Sequence, residues 1–271
     1  GIPYSIGPKT SPFSYFYFNA PVQLDWQDIT THEVAYNLKL LSPLNIYMKP
    51  IYKLYPKQSL SLFKNAPSTK PKIVLFCSSG ISNLSMSNTM LLTLVRSLLK
   101  TKKYLVVLTY GHMDSNSELM QLQDPHLVNI TSPLNLTDMT DLIHECDLYI
   151  GPDTGPTHMA SFLNKPLIVV FRSKSNPPSR WGPVSHAFKI IRYDYVSDPL
   201  QKEKKEMTHM LQAVEDMFHK PSIIPPIEQK IEQLKSSLRF IWVFDSKSDF
   251  ITSKAYYKTL KKQGWVVFPH I

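Results

Sequence analysis

The sequence predicts an α/β protein built around a parallel sheet, and three observations predict it. Between Lys72 and Phe171, short apolar runs alternate with segments of helical periodicity, the pattern of repeated β-α-β units. The first of these runs, IVLFCSS (73–79), reads as a buried strand. Another ends in a Gly-Pro-Asp-Thr-Gly-Pro turn that runs directly into a helical pattern, the kind of junction at which open α/β sheets bind ligands.

The elements follow in chain order. IVLFCSS (73–79) reads as the first strand of the series and TMLLTLVRSLLK (89–100) as a helix. YLVVLTY (104–110) and LVNI (127–130) are the next two strands. LTDMTDLIHEC (136–146) is a helix with Thr137 as its N-cap. DLYIG (147–151) is a strand, PTHMASFLN (156–164) a helix and PLIVVF (166–171) another strand, and MTHMLQAVEDMF (207–218) closes the series as a helix. Right-handed crossovers place the carboxyl ends of all these strands on one edge.

The flanks are less regular. Residues 1–24 are rich in aromatics and prolines, and THEVAYNLKLLSPL (31–44) reads as a helix with Val34, Leu38 and Leu41 on one face, stopped before Pro43. NAPSTKPK (65–72) has linker composition. Beyond Pro221, the segments FIWVF (240–244), SKAYYKTLKKQG (253–264) and WVVF (265–268) suit one more β-α-β unit. These shifts divide the chain into residues 1–67, 68–221 and 222–271.

Composition narrows the classes of function. Hydrophobic residues at 43% against charged residues at 19% indicate a globular chain and exclude a disordered one. No run reaches the roughly 18 apolar residues of a membrane helix, and GIPYSIGPKTSPF lacks the form of a signal peptide. A net charge of +9 suits an anionic partner, whether a nucleotide, an acidic membrane surface or nucleic acid, and equally suits lysines that only form a solvated face, as in QKEKKEM (201–207). Neither zinc-finger spacing nor the aromatic-basic strand signature of RNA binders is present, so nucleic acid has only the charge in its favour. Cys77 and Cys146 sit within or beside apolar runs without metal-ligand spacing, which suits buried free thiols in a reducing compartment.

The turn at 151–158 carries the most chemistry. Asp153 or Thr154 can cap the following helix, and Pro156 is tolerated in its first turn, where an N–H has no partner in any case. Gly155 lets a ligand approach the backbone closely. The free N–H groups and the positive end of the helix dipole make an anion site suited to a phosphate, to which Thr154, Thr157 and His158 add side-chain donors. The alternative is that Asp153 and Thr154 only cap the helix and His158 only packs. Arg180-Trp181 likewise reads either as a surface stacking pair or as part of the site.

GPDTGPTHMASFLNKPLIVVF (151–171), followed by RWGP (180–183), resembles the signature of the heptosyltransferases, glycosyltransferase family 9. GIPYSIGPKTSPFSYFYFN and THEVAYNLKLL are similar to the second half of that family's N-terminal domain, so the resemblance covers about residues 1–218. It implies the GT-B arrangement, a Rossmann-like C-terminal domain that binds the donor together with the remainder of a Rossmann-like N-terminal domain on the acceptor side. It further implies a bacterial, cytoplasmic enzyme at the inner face of the membrane. The donor is then ADP-heptose or a similar nucleotide sugar, the acceptor an anionic lipid-linked inner core of lipopolysaccharide, and the reaction an inverting displacement without metal or cofactor. By the same resemblance Asp153, Thr154, Gly155 and His158 contact the donor diphosphate and sugar. Ser78, Ser79 and Gly80 form the other wall, and Gly111 to Asp114 lie near the adenosine.

Two features depart from the family pattern. The family's catalytic aspartate follows a glycine-rich first loop near the start of the N-terminal domain, and this sequence matches beyond that point, so no catalytic base is assigned. Family members also carry a lysine and a tryptophan after the strand matching 73–79, where this chain has GISNLSMSNTM (80–90). Arg172, Lys174 and Arg180 are the candidate replacements for the lysine.

Overall fold

The computed structural model describes residues 4–25, 28, 31–48, 52–56, 69–77, 86–111, 117–171, 177–192, 199–219, 240–241 and 266–267. The chain forms two compact units, one of residues 51–224 and one that groups 1–50 with 225–271.

In the smaller unit, β1 (Ile6–Pro8) pairs in parallel with β2 (Ala20–Val22), and α1 (Ser14–Tyr17) lies between them in sequence. The helix expected over 31–44 is present in two parts. α2 (Glu33–Leu38) tightens into a 3-10 helix, Lys39–Leu44, that runs through Pro43, and Asn45 ends it in the left-handed conformation at φ 55°. Its fully buried side chain is Tyr36, and the expected face of Val34, Leu38 and Leu41 is only half-buried.

The larger unit is the predicted parallel sheet. Its strands are β3 (Lys72–Phe76), β4 (Leu105–Thr109), β5 (Leu127–Ile130), β6 (Leu148–Pro152), β7 (Leu167–Phe171) and β8 (Phe188–Arg192). They lie in the order β5-β4-β3-β6-β7-β8, every neighbouring pair parallel. Counted from β3 this is 3-2-1-4-5-6, the doubly wound Rossmann order, with β3 and β6 side by side at the point where the winding reverses. α3 (Asn88–Thr101) and α8 (Pro199–His219) share one hydrophobic cluster, and α5 (Leu136–Glu145) and α6 (Gly155–Phe162) share the other; the sheet separates them. Between β4 and β5 lies α4 (Ser117–Met120), and α7 (Pro178–Trp181) precedes β8. The remaining described strands, β9 (Phe240–Ile241) and β10 (Val266–Val267), belong to the smaller unit and pair in parallel. The helix expected between them lies outside the described residues.

The larger unit corrects one cap and adds one strand. The cap of α5 is Asn135, whose side-chain oxygen accepts from the Asp138 N–H at 2.9 Å; Thr137 is already inside the first turn. β8 was not expected, because an edge strand pairs on one side only and its Lys189 and Arg192 break the apolar run. In α6, Met159 and Leu163 face the core but Phe162 turns toward Tyr52, their rings 6.0 Å apart, and its carbonyl accepts from the Leu54 N–H. Cys77 and Cys146 are both buried free thiols, and burial pushes the Cys146 thiol up to about 12. No helix among the described residues is long and apolar enough to cross a membrane.

Candidate functional site

The sheet itself singles out the site. β3 passes its chain to β4 on one side and β6 passes its chain to β7 on the other, so the carboxyl ends of β3 and β6 form the switch point at which doubly wound sheets bind ligands. The turn Asp153–Thr154 leaves β6 at that edge and enters α6. Gly111 follows β4 and Tyr110 at the same edge, half-buried. Ser78 and Ser79, which follow β3, lie outside the described residues, as do Gly80, Asp114, Arg172 and Lys174.

The turn is built from hydrogen bonds to a few carbonyls. Thr154 holds the N-cap position in extended conformation without a side-chain cap, and its carbonyl accepts from the N–H groups of Thr157 (3.0 Å) and His158 (3.2 Å). Pro156 has no N–H, and the N–H of Gly155 has no acceptor within the helix by position alone. A Cβ placed on Gly155 would meet no atom within 4 Å, so the fold does not require glycine there and the space above it is open.

The side chains fall into two groups. Asp153 and His158 face each other across the turn, His158 Nε2 lying 3.5 Å from Asp153 Oδ1, with the imidazole about a third exposed. Trp181 on α7 lies beside that imidazole, ring centroids 6.5 Å apart, and the guanidinium of Arg180 stands 5.7 Å from the Trp181 ring centre. The Arg-Trp pair therefore stands next to the histidine, and Arg180 itself is 8% exposed. Thr157 belongs to a second group. It is 2% exposed, and its hydroxyl lies within hydrogen-bond reach of the Pro152 carbonyl and, at 3.1 Å, of the Tyr149 phenol. As a ligand contact Thr157 is corrected: its polar atom is directed into the fold and held there.

Sequence reasoning passed over Tyr149 and Gly151. A Cβ on Gly151 would come within 2.5 Å of the Tyr149 hydroxyl, so the ring leans along its own strand across the glycine toward α6. The available signal was a Tyr-Ile-Gly spacing in a strand, which puts the tyrosine and the glycine on the same face. Burial drives the Tyr149 phenol well above the ordinary tyrosine range, so it remains a protonated donor.

The family model of glycosyltransferase family 9 (heptosyltransferase) matches residues 9–211. Two solved structures share the fold. One is a family 9 glycosyl transferase from Veillonella parvula (TM-score 0.56, 15% identity, 75% of this chain and 64% of that one). The other is the E. coli heptosyltransferase WaaC with ADP (TM-score 0.54, 14% identity, 76% and 62%). A curated relative from Haemophilus influenzae, whose name assigns it provisionally to the glycosyltransferases, is 28% identical over 176 residues. That match covers 61% of this chain and 49% of the relative, so the chain spans about half the length of the curated relative it matches.

Proposed function

The chain belongs to glycosyltransferase family 9, the heptosyltransferases, and on that premise we propose that it takes part in transfer of a heptose-like sugar from a nucleotide diphosphate donor. The observation that carries this reading is the Asp153–His158 turn at the switch point of the sheet, with open space above Gly155 and a histidine in the first helical turn. The diphosphate sits on the start of α6, where the helix dipole and the Gly155 N–H favour negative charge. His158, whose Nε2 faces Asp153 and whose ring is flanked by Trp181, donates to a phosphate oxygen from Nδ1 or stacks against the sugar. Arg180 supplies positive charge behind Trp181, and Gly111 borders the nucleoside.

ADP-heptose is the proposed donor and an anionic lipid-linked inner core of lipopolysaccharide the proposed acceptor, at the cytoplasmic face of a bacterial membrane. The displacement inverts the anomeric carbon, and the leaving diphosphate is stabilised by these donors without a metal. The absence of lysine from 80–90 favours a second reading, a non-catalytic relative that keeps the nucleotide site.

Calorimetric titration of ADP, UDP and GDP into the chain and into His158→Ala tests the first step of both. The expected result is selective ADP binding, weakened roughly tenfold by the substitution, the size of one lost charge-assisted contact. A folded chain that binds none of the three removes the nucleotide site. ADP binding without sugar transfer to any inner-core acceptor supports the non-catalytic relative.

A further inference from the structure

We infer that Tyr149 is a positioning residue for the diphosphate turn, acting through Thr157. The inference rests on the nucleotide reading above. Tyr149 has no accessible surface, so it cannot touch a ligand, yet its phenol oxygen ends 3.1 Å from Thr157 Oγ1, in the first turn of the helix that carries His158.

The proton count fixes the direction of the network. Thr157 has one hydroxyl proton, and the Pro152 carbonyl can only accept, so Thr157 donates to Pro152 and the Tyr149 phenol donates to Thr157. The chain Tyr149→Thr157→Pro152 thus ties two residues of β6, one near its start and one at its end, to the start of α6. Pro152 and Thr157 bracket Asp153, Thr154 and Gly155 between them. The network is buried, and a buried bond in low dielectric holds its geometry more tightly than one exposed to water. Gly151 completes the device: any side chain there would meet the Tyr149 ring, at 2.5 Å from its oxygen and 2.9 Å from two of its carbons. Strand, glycine and hydroxyl therefore act together to hold the turn before a ligand arrives, which reduces the ordering cost of binding.

The test is titration of ADP into wild type, Tyr149→Phe, Thr157→Val, Thr157→Ser and the Tyr149→Phe/Thr157→Val double variant. Tyr149→Phe keeps the ring that fills the core and removes only the donor. The expected result is a loss of about five- to tenfold in ADP affinity for Tyr149→Phe and for Thr157→Val, with Thr157→Ser within about twofold of wild type. The double variant should bind no more weakly than Thr157→Val alone, because both substitutions break one chain. Wild-type affinity in Tyr149→Phe, or losses that multiply in the double variant, would overturn the positioning role alone. Absence of nucleotide binding in folded wild type would overturn the role together with the reading it rests on. Should Thr157→Val fail to fold, Tyr149→Phe and Thr157→Ser decide the question between them.

Discussion

The two faces of the six-stranded sheet are built from different chemistry. The face shared by α3 and α8 is filled by leucine, valine and methionine, among them Met86, Met90, Met207, Met210 and Met217, and neither helix contributes a buried polar side chain among the described residues. The face shared by α5 and α6 is smaller and carries Thr140, Asp141, Thr157 and Ser161 buried on its helices, with the Tyr149 phenol beneath them. Apolar contacts exclude water but fix no direction, so residues on the first face can be exchanged for others of similar volume. Hydrogen bonds are directional. The face whose helices carry buried donors and acceptors is the one whose helix α6 opens onto the proposed ligand.

The sharpest way to break this comparison is a large cavity on the apolar face. Leu94 on α3 is fully buried. Leu94→Ala should cost about 2–5 kcal/mol of stability by lost burial and an unfilled cavity, the largest effect expected here. Its ADP affinity, measured on the folded protein, should stay within about twofold of wild type. A large fall in affinity would mean that the two faces are not separable.

A substitution on the polar face should move both quantities. In Gly151→Ala the new methyl meets the Tyr149 hydroxyl and ring, and burial on all sides gives that ring nowhere to turn. Urea unfolding should show a loss of about 1–3 kcal/mol, typical of overpacking. ADP titration should show weaker binding as well, since the displaced phenol no longer reaches Thr157. Gly155→Ala is the matching control on the open side: nothing lies within 4 Å, so stability should change by less than about 0.5 kcal/mol.

The same contrast explains what was legible in the sequence. Apolar periodicity reports burial, so β3 to β7 and the helices α3, α5 and α6 were readable to within a few residues, the four-residue α4 was too short to show a period, and α8 was readable only where its pattern was apolar, from Met207 onward. The Asp153–His158 turn was readable because a cap, a proline and a glycine have fixed backbone meanings. Three features were not. β8 carries charge on an edge, Asn135 caps from outside the apolar pattern that marked the helix, and Tyr149 reads as one more apolar strand residue. In each case a contact distant in sequence, or one just outside the periodic run, decides the outcome. Thr157 looked like a ligand contact for the same reason: its spacing placed it in the first helical turn, and only the position of the Pro152 carbonyl and the Tyr149 phenol shows which way its hydroxyl points.

The smallest expected effect lies at the rim of the apolar face, where its polar groups meet water. Glu215 on α8 accepts from Lys103 Nζ at 3.0 Å and from the Tyr104 hydroxyl at 3.2 Å, and its other oxygen lies 3.1 Å from His219 Nε2. The Lys103 hydrogen bond, reinforced by Tyr104 and by the charges of Lys103 and His219, holds the Glu215 carboxyl below its ordinary value of 4.5, against the opposing effect of partial burial. Burial, with Glu215 beside it, pushes the Tyr104 phenol up to about 12. A carboxyl depressed on folding stabilises the native state at pH above its unfolded value, and that contribution disappears as pH falls through the depressed native one. Glu215→Gln should therefore cost about 0.5 kcal/mol near pH 7, the size expected of a surface pair whose lysine is 55% and whose carboxylate is 34% exposed. Thermal melts from pH 7 down to pH 3 should show the two proteins converging only below about 4.5, where the unfolded carboxyl takes up its proton. ADP affinity should not respond at any pH where both remain folded, because this network stitches α8 to β4 on the face that holds no part of the turn. A pH-independent difference between the two proteins would assign the contribution to the hydrogen-bond fit of the side-chain head and not to its charge.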